Sequence, residues 1–183
     1  MSSENEKVTV LDPVTKEVRA EWNFPRERSA PFRCAADWVR PKRLSDEDYL
    51  AVFVTTAGDS VQVKAKGLQE KGELLSSHIL SALAIEMAEA TAEWLHRKIR
   101  AGWGFADPPE FTWQDLIRTT YRGIRLSFGY PACPNLEDQI SLFELLKPQE
   151  SIGVSLTDEM MMVPESSVSA LVFHHPAGQY FSA

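Results

Sequence analysis

Residues 122–134, RGIRLSFGYPACP, concentrate the residue types that could hold a small charged ligand. Arg125 supplies a cation and Tyr130 an aromatic ring. Gly129 can adopt backbone angles closed to other residues, and it lets a ligand approach the main chain closely. The two prolines of the segment fix their own φ and restrict the residues before them, so we expect a stiff loop. Such a loop suits a planar ligand that carries a carboxylate, and the alternative is a structural turn between packed elements.

This segment resembles the RxxxGYPACP loop of the activation domain of cobalamin-dependent methionine synthase, a loop that binds S-adenosylmethionine. Further matches follow the family's order and approximate spacing from about residue 7 to the last residue. They are CAADWVRPK at 34–42, YLAVFVT at 49–55, AEATAEWLH at 88–96, WG at 103–104, LTD at 156–158, PESSVS at 164–169, FHHP at 173–176 and YF at 180–181. Several matches in order are far more specific than any one of them, so the chain is identified as a member of this family.

The resemblance implies a function in methionine biosynthesis. The chain would bind S-adenosylmethionine and present it to a cobalamin module for reductive methylation of inactive cob(II)alamin, with an electron from a flavodoxin-type donor. It would then be part of a methyltransferase, yet a binding domain without turnover of its own, with no catalytic residue and no metal ligand. Two alternatives stay open: a reactivation subunit for another corrinoid protein, and a module that senses S-adenosylmethionine without methyl transfer.

The resemblance also has limits in extent. It assigns residues 1–183 to a single activation domain, whereas the family domain usually begins with further helical sequence and continues past the Tyr-Phe pair with a charged helical tail. The homocysteine, folate and cobalamin modules of the full enzyme have no counterpart in these 183 residues. A trimmed piece of that enzyme and a separately encoded activation subunit are both compatible with the sequence.

The resemblance assigns one binding residue to each of the two charged groups in the amino-acid part of the ligand. Arg125 occupies the position of the family's motif arginine, and a guanidinium can pair bidentately with a carboxylate. Glu89 lies where the family places an acidic ligand contact, which suits the ammonium. On a helical wheel Glu86 and Glu93 fall at the centre of the polar strip, and Glu89 falls with His96 near its edge. By periodicity alone, Glu89 would be a solvated carboxylate.

Other contacts complete the implied site. Asp37 has apolar neighbours, and a carboxylate in such surroundings needs a partner, either a backbone turn or a polar group of the ligand, which the family favours. The rings of Tyr130 and Tyr180 could attract the sulfonium or stack on adenine. The predicted S-adenosylmethionine-binding residues are Asp37, Glu89, Arg125, Ser127, Gly129, Tyr130, Tyr180 and Phe181.

The remaining reactive side chains favour structural interpretations. Adjacent residues of a strand point to opposite faces, so His174 and His175 cannot readily chelate one metal ion. Cys133 has no neighbouring basic side chain that would activate a thiolate. Arg122 has no support from the family motif, and we expect it to be solvated. The Met160–Met162 run indicates core or interface rather than a ligand site.

Composition narrows the class of protein. At 183 residues, 44% of them hydrophobic, the chain is long and apolar enough for one domain with its own core. A net charge of −7 argues against a nucleic-acid surface and against binding to anionic membrane. The polar N-terminal segment has no apolar core, and no apolar run reaches membrane-spanning length. We therefore expect a cytoplasmic protein.

The hydrophobic patterns predict the elements that must position the site. A hairpin is expected at 8–11 and 18–22 around Asp12-Pro13, an ordered loop at 24–46, and strands at 50–55, 153–156, 160–163 and 168–174. A dominant helix is expected at 69–101, with apolar Leu75, Ile79, Leu83, Met87, Ala90 and Trp94 at three- and four-residue steps. Shorter helices are expected at 113–118 and at 137–146, the latter with Leu136, Ile140, Phe143 and Leu146 facing inward. Strands and helices without βαβ regularity favour an α+β fold with a mainly antiparallel sheet.

Overall fold

The computed structural model describes residues 1–44 and 48–182, and in this part the fold is α+β with antiparallel strands only. The strands are β1 (Ser2–Glu4), β2 (Lys7–Leu11), β3 (Val18–Asn23), β4 (Ala51–Thr56), β5 (Ile124–Leu126), β6 (Ser155–Leu156), β7 (Met162–Val163) and β8 (Ser167–Phe173). The helices are α1 (Asp59–Glu70), α2 (Leu74–Gly102), α3 (Trp113–Ile117), α4 (Gln139–Leu146) and α5 (Pro148–Ile152). The predicted fold class is confirmed. In the described residues, no helix is both long and apolar enough to cross a bilayer.

The predicted N-terminal hairpin is present and carries an additional edge strand. Its sheet has the order β1-β2-β3. Alternation along the strands turns Val8 and Trp22 inward, and both are fully buried. The Trp22 indole nitrogen donates to the Asp138 carbonyl at 3.1 Å, which ties the hairpin to the segment before α4. The predicted loop at 24–46 contains a 3₁₀ turn at Ala35–Trp38, and residues 45 and 46 lie outside the described part.

The central sheet has the order β4-β8-β5 and positions the predicted loop residues. All seven residues of β8 are buried, as expected for a middle strand covered on both faces. Strand β5 pairs with β8, and Arg125 stands opposite Val172. Arg125 therefore lies on a strand, and the prediction of a continuous loop from 122 to 134 is wrong in its first part. Hydrogen bonding to a buried strand fixes the backbone of Arg125 more firmly than a turn would.

Helix α2 packs on the central sheet through small residues. Ala84, Ala88 and Ala92 are at most 2% exposed, and the last two contact Phe53 of β4 and residues of β8. The large apolar residues whose spacing predicted the helix lie mostly on the other side. Leu75, Ile79, Leu83, Met87 and Trp94 are between 54% and 73% exposed. Because the side chain of alanine is short, it lets the helix axis approach the sheet closely, and alanines therefore lie on the face that packs there.

The predicted boundaries of the dominant helix were wrong at its start. Helix α1 ends at Glu70 and α2 begins at Leu74, separated by a turn at Gly72 with a φ of +81°. That left-handed conformation suits glycine and ends α1. Helix α1 itself was not predicted.

Helix α4 confirms the element predicted at 137–146 but only part of its buried face. Leu136 and Phe143 pack against the main core, whereas Ile140 and Leu146 are exposed. Leu142 is fully buried in their place. Helix α5 follows, where no element was predicted, and the short strands β6 and β7 lie within the strands predicted at 153–156 and 160–163.

Candidate functional site

Arg125 and Glu89 form an ion pair between strand β5 and helix α2. The Arg125 Nη2 donates to Glu89 Oε2 at 3.2 Å. The Arg125 side chain is 14% exposed, and that of Glu89 is 47% exposed. A cation held inside and a carboxylate at the surface therefore stand side by side. This arrangement can pair with both the carboxylate and the ammonium of an amino-acid zwitterion.

Tyr180 joins the pair through the backbone of β5. Its hydroxyl donates to the Arg125 carbonyl at 2.7 Å. Burial is the main cause that raises the Tyr180 pKa above its ordinary value, so the phenol stays protonated and remains a donor at neutral pH. The ring is half exposed and available to a ligand. Three of the predicted residues are thus joined by direct contacts.

Glu89 also lines a groove of about 200 Å³, together with the predicted residues Ser127 and Tyr130 and with side chains that were not predicted. Ser127 and Tyr130 come from the segment after β5, and Gln139 comes from α4. The three methionines Met160, Met161 and Met162 line the same groove, although their sequence indicated core or interface. Nothing in the sequence linked them to this groove, since the link depends on how β7 packs beside β8.

A tight turn places Tyr130 at this groove. The Gly129 amide donates to the Cys133 carbonyl, and the Cys133 amide donates to the Tyr130 carbonyl, each at 2.8 Å. Gly129 has a φ of +88°, and a Cβ there would stand 3.0 Å from a Leu136 methyl group. The backbone angle therefore favours glycine, and a Cβ would in addition require the Leu136 methyl group to shift slightly. Burial raises the pKa of the Cys133 thiol to about 12, in keeping with a packed cysteine.

A buried polar cluster lies directly behind Arg125. Glu93 Oε2 is 3.6 Å from Arg125 Nη1, and Glu93 Oε1 is 3.7 Å from Arg100 Nη2. Arg100 is itself fixed, because its Nε and Nη2 donate to the Asp107 carboxylate at 2.8 and 2.7 Å. Its guanidinium lies 3.8 Å from the centre of the Tyr121 ring. The helical wheel placed Glu93 at the centre of the polar strip, yet its side chain is only 24% exposed and lies between two arginines.

His96 completes this cluster as a neutral side chain. It is fully buried, and its ring meets the Tyr121 ring edge-on at 5.1 Å. Burial, followed by the charges of Arg100 and Arg125, lowers the pKa of His96 to about 3. The wheel placed His96 beside Glu89, but it could not show that this edge of α2 is covered by the segment around Tyr121. That information lies in the tertiary packing.

Asp37 and Phe181 lie apart from the groove. Asp37 makes a bidentate pair with Arg26 at 2.7 and 2.9 Å and accepts from the Cys34 amide at 3.2 Å. It lines a second groove with Arg26. Phe181 is buried in the main core, edge-on to Trp38 at 5.7 Å. Its side chain thus anchors the chain next to Tyr180, and Trp38 connects it to the turn that carries Asp37.

The other candidate side chains have structural partners. His174 Nε2 lies 2.9 Å from Asp48 Oδ1, and the His175 Nδ1 accepts from the Ala177 amide at 3.2 Å. Arg122, expected to be solvated, is exposed but donates to the His174 carbonyl at 3.0 Å and covers the Phe105 ring. In the described part of the chain, no group of three or more histidine, cysteine or acidic side chains could hold a metal ion.

Comparison with known proteins agrees with these features. Residues 2–183 match the sequence profile of the activation domain of vitamin B12 dependent methionine synthase. The methionine synthase of Mycobacterium leprae is 36% identical over 194 aligned residues, which cover 100% of this chain and 16% of that protein. The methionine synthase of Mycobacterium tuberculosis is 34% identical over the same extent. This chain thus spans a small part of the length of these curated relatives.

A solved structure has the same fold. The crystal structure of the MetH reactivation domain bound to AdoHcy superposes with a TM-score of 0.92 at 31% sequence identity, covering 99% of this chain and 57% of that chain. The two curated relatives are methionine synthases, and the profile that matches this chain is that of the activation domain. Because the profile covers nearly every residue and the fold agrees throughout, the chain belongs to the vitamin B12-dependent methionine synthase activation domain family.

Proposed function

We propose that this chain binds S-adenosylmethionine at the Arg125–Glu89 pair and presents its sulfonium methyl group to cobalamin held by another module. The observation that carries the proposal is the pairing of a mostly buried guanidinium with a half-exposed carboxylate at the edge of a groove. The solved relative bound to AdoHcy, the demethylated form of the same ligand, supports it.

The chemistry of these side chains fits the amino-acid end of the ligand. The ligand carboxylate pairs with Arg125, and its ammonium takes the Glu89 carboxylate, so the protein ion pair is exchanged for two intermolecular ones. Because the charges balance before and after binding, the mostly buried guanidinium is never left without a counter-charge.

The groove holds only part of the ligand. At about 200 Å³ it is smaller than the 300–1,000 Å³ typical of small-molecule sites, so the rest of the nucleoside lies along the open surface. Tyr130, 59% exposed at this surface, and Tyr180 offer ring faces to the sulfonium or the adenine. An open site leaves the methyl group accessible to a second module.

The chain's own contribution is positioning. In the proposed reaction this chain would hold the methyl donor at the Arg125–Glu89 pair. The cobalamin of another module, reduced by one electron from a flavodoxin-type donor, would supply the methyl acceptor, and AdoHcy would be the product left on this chain. No side chain of this domain needs to accept or donate a proton in that exchange. Holding the methyl donor in line with the metal is itself a large share of catalysis for a bimolecular step.

The test is reconstitution from separate parts. The purified chain is mixed with a cobalamin-loaded module of methionine synthase, reduced flavodoxin and S-adenosylmethionine with a radiolabelled methyl group. We expect label in methylcobalamin and the matching change in the visible spectrum, both dependent on the chain. Equal methylation without the chain would contradict the proposal.

Two outcomes would redirect the function while keeping the binding site. Methylation of a different corrinoid protein, but not of the methionine synthase module, would indicate a separate reactivation subunit. Binding of S-adenosylmethionine without methylation of any corrinoid protein would indicate a sensing module.

A further inference from the structure

We propose that Glu93 is the positioning residue for Arg125, holding its guanidinium so that only one edge is offered to the ligand. This inference rests on the proposed function, because it concerns how the same site is kept ready. Glu93, with a side chain 24% exposed against 47% for Glu89, contacts the cation from the less exposed side.

The two nitrogens at the end of Arg125 have different surroundings. Nη1 is buried without a hydrogen-bond partner, and the Glu93 carboxylate lies 3.6 Å from it. Nη2 donates to Glu89 at 3.2 Å. The Nη2 edge is therefore the one that a ligand carboxylate can reach, and Glu93 occupies the other.

Glu93 is in turn fixed by groups that play no part in ligand binding. Arg100 lies 3.7 Å from Glu93 Oε1, and the Tyr121 hydroxyl donates to Glu93 Oε2 at 3.5 Å. The side chains of Arg100 and Asp107 are at most 2% exposed and joined by two short hydrogen bonds. A rigid charge pair inside the protein thus sets the place of Glu93, and Glu93 sets the place of Arg125.

The cluster also shows an unusual density of polar atoms without hydrogen bonds. Of the six such buried side-chain atoms in the described residues, five belong to Glu93, His96, Arg100 and Arg125. Two of these atoms, Glu93 Oε1 and Arg125 Nη1, lie within ion-pair distance of an opposite charge, so charge pairing holds Glu93 beside both arginines. Glu93 thus gives Arg125 a second carboxylate partner besides Glu89.

The test measures the affinities of Glu93→Gln for two ligands by titration calorimetry. S-adenosylmethionine carries the carboxylate and the ammonium, whereas 5′-methylthioadenosine lacks both. We expect Glu93→Gln to lower the affinity for S-adenosylmethionine about tenfold, the equivalent of one displaced charge pair. The affinity for 5′-methylthioadenosine should stay within about twofold of the wild-type value. Glu86→Gln removes the same charge from an exposed position of α2 and serves as the matched control, with both affinities unchanged.

Several results would overturn the inference. Unchanged or tighter S-adenosylmethionine binding by Glu93→Gln would mean that Glu93 is idle or competes with the ligand. Equal weakening of both ligands would mean a purely structural role. If Glu93→Gln fails to fold, Tyr121→Phe decides in the same way: a loss of about twofold to threefold confined to S-adenosylmethionine supports positioning, and no loss rejects it. A wild-type chain that does not bind S-adenosylmethionine would reject the proposed function itself.

Discussion

At the scale of single residues, the site depends on where one helix turn places two carboxylates. Glu89 and Glu93 are four residues apart and therefore neighbours on α2. They contact different nitrogens of Arg125, and the side chain of Glu93 is about half as exposed as that of Glu89. A mostly buried guanidinium requires such partners, because the desolvation cost of an unpaired charge is several kcal/mol.

His96 gives this cluster a measurable pH dependence. Its pKa of about 3 in the folded protein lies below the ordinary value of 6.5, so the unfolded chain takes up the proton first as the pH falls. The stability it confers is fully present above about pH 6.5 and is lost progressively down to about pH 3. Between pH 7 and pH 5 we expect the titration of His96 to lower the free energy of unfolding by about 2 kcal/mol.

The measurement is the free energy of unfolding in urea at both pH values. His96→Leu removes the titrating group, so its free energy of unfolding should fall between pH 7 and pH 5 by about 2 kcal/mol less than that of the wild type. His78→Leu replaces an exposed histidine of the same helix and should retain the wild-type loss. Identical pH dependence in all three proteins would show that His96 is not held neutral in the fold.

At the scale of elements, helix α2 buries two alanines, Ala88 and Ala92, against the central sheet. Ala92 is fully buried against the central sheet, whereas Ala90 is exposed two residues earlier. We expect Ala92→Leu to lower the free energy of unfolding by about 1–3 kcal/mol, because the helix cannot move away from β8 without losing its other contacts. Ala90→Leu, the matched control, should change it by less than about 0.5 kcal/mol. Equal effects of the two substitutions in urea unfolding would contradict the assigned face.

The same helix shows what sequence patterns can and cannot give. Its existence and most of its length follow from the spacing of apolar residues and from the absence of proline. Its orientation does not, because both the large apolar residues and the alanines recur at helical steps. Met87 and Ala88 are adjacent, yet only Ala88 is buried against the sheet. Which of two apolar faces is buried depends on the space available beside the sheet, and that is a tertiary property.

The structure of the segment that carries Arg125 was predicted only in part. The glycine and the prolines indicated a turn, and a turn exists at 129–133. Three residues are too few for the alternation of β5 to stand out, so the strand pairing with β8 could not be foreseen. The cluster of Glu93, Arg100 and Asp107 was missed for a similar reason, since it joins α2 to a loop beyond its end.

At the scale of the whole molecule, the family resemblance carried more than composition or periodicity. The matched segments lie far apart in the chain, yet Glu89, Arg125 and Tyr180 are joined by direct contacts. Composition alone supported only a single acidic domain with a core. The packing of Phe181 against Trp38 explains how residues near the end of the described chain reach the site.

The most direct measurement of the central claim is a calorimetric titration of the whole chain with S-adenosylmethionine. We expect the wild type to bind one equivalent, and Arg125→Ala to lose about 2–4 kcal/mol of binding free energy while its circular dichroism spectrum is unchanged. Arg122→Ala, which removes an exposed arginine three residues earlier, should bind like the wild type. Unchanged affinity in Arg125→Ala, with the protein folded, would contradict the claim that this guanidinium holds the ligand.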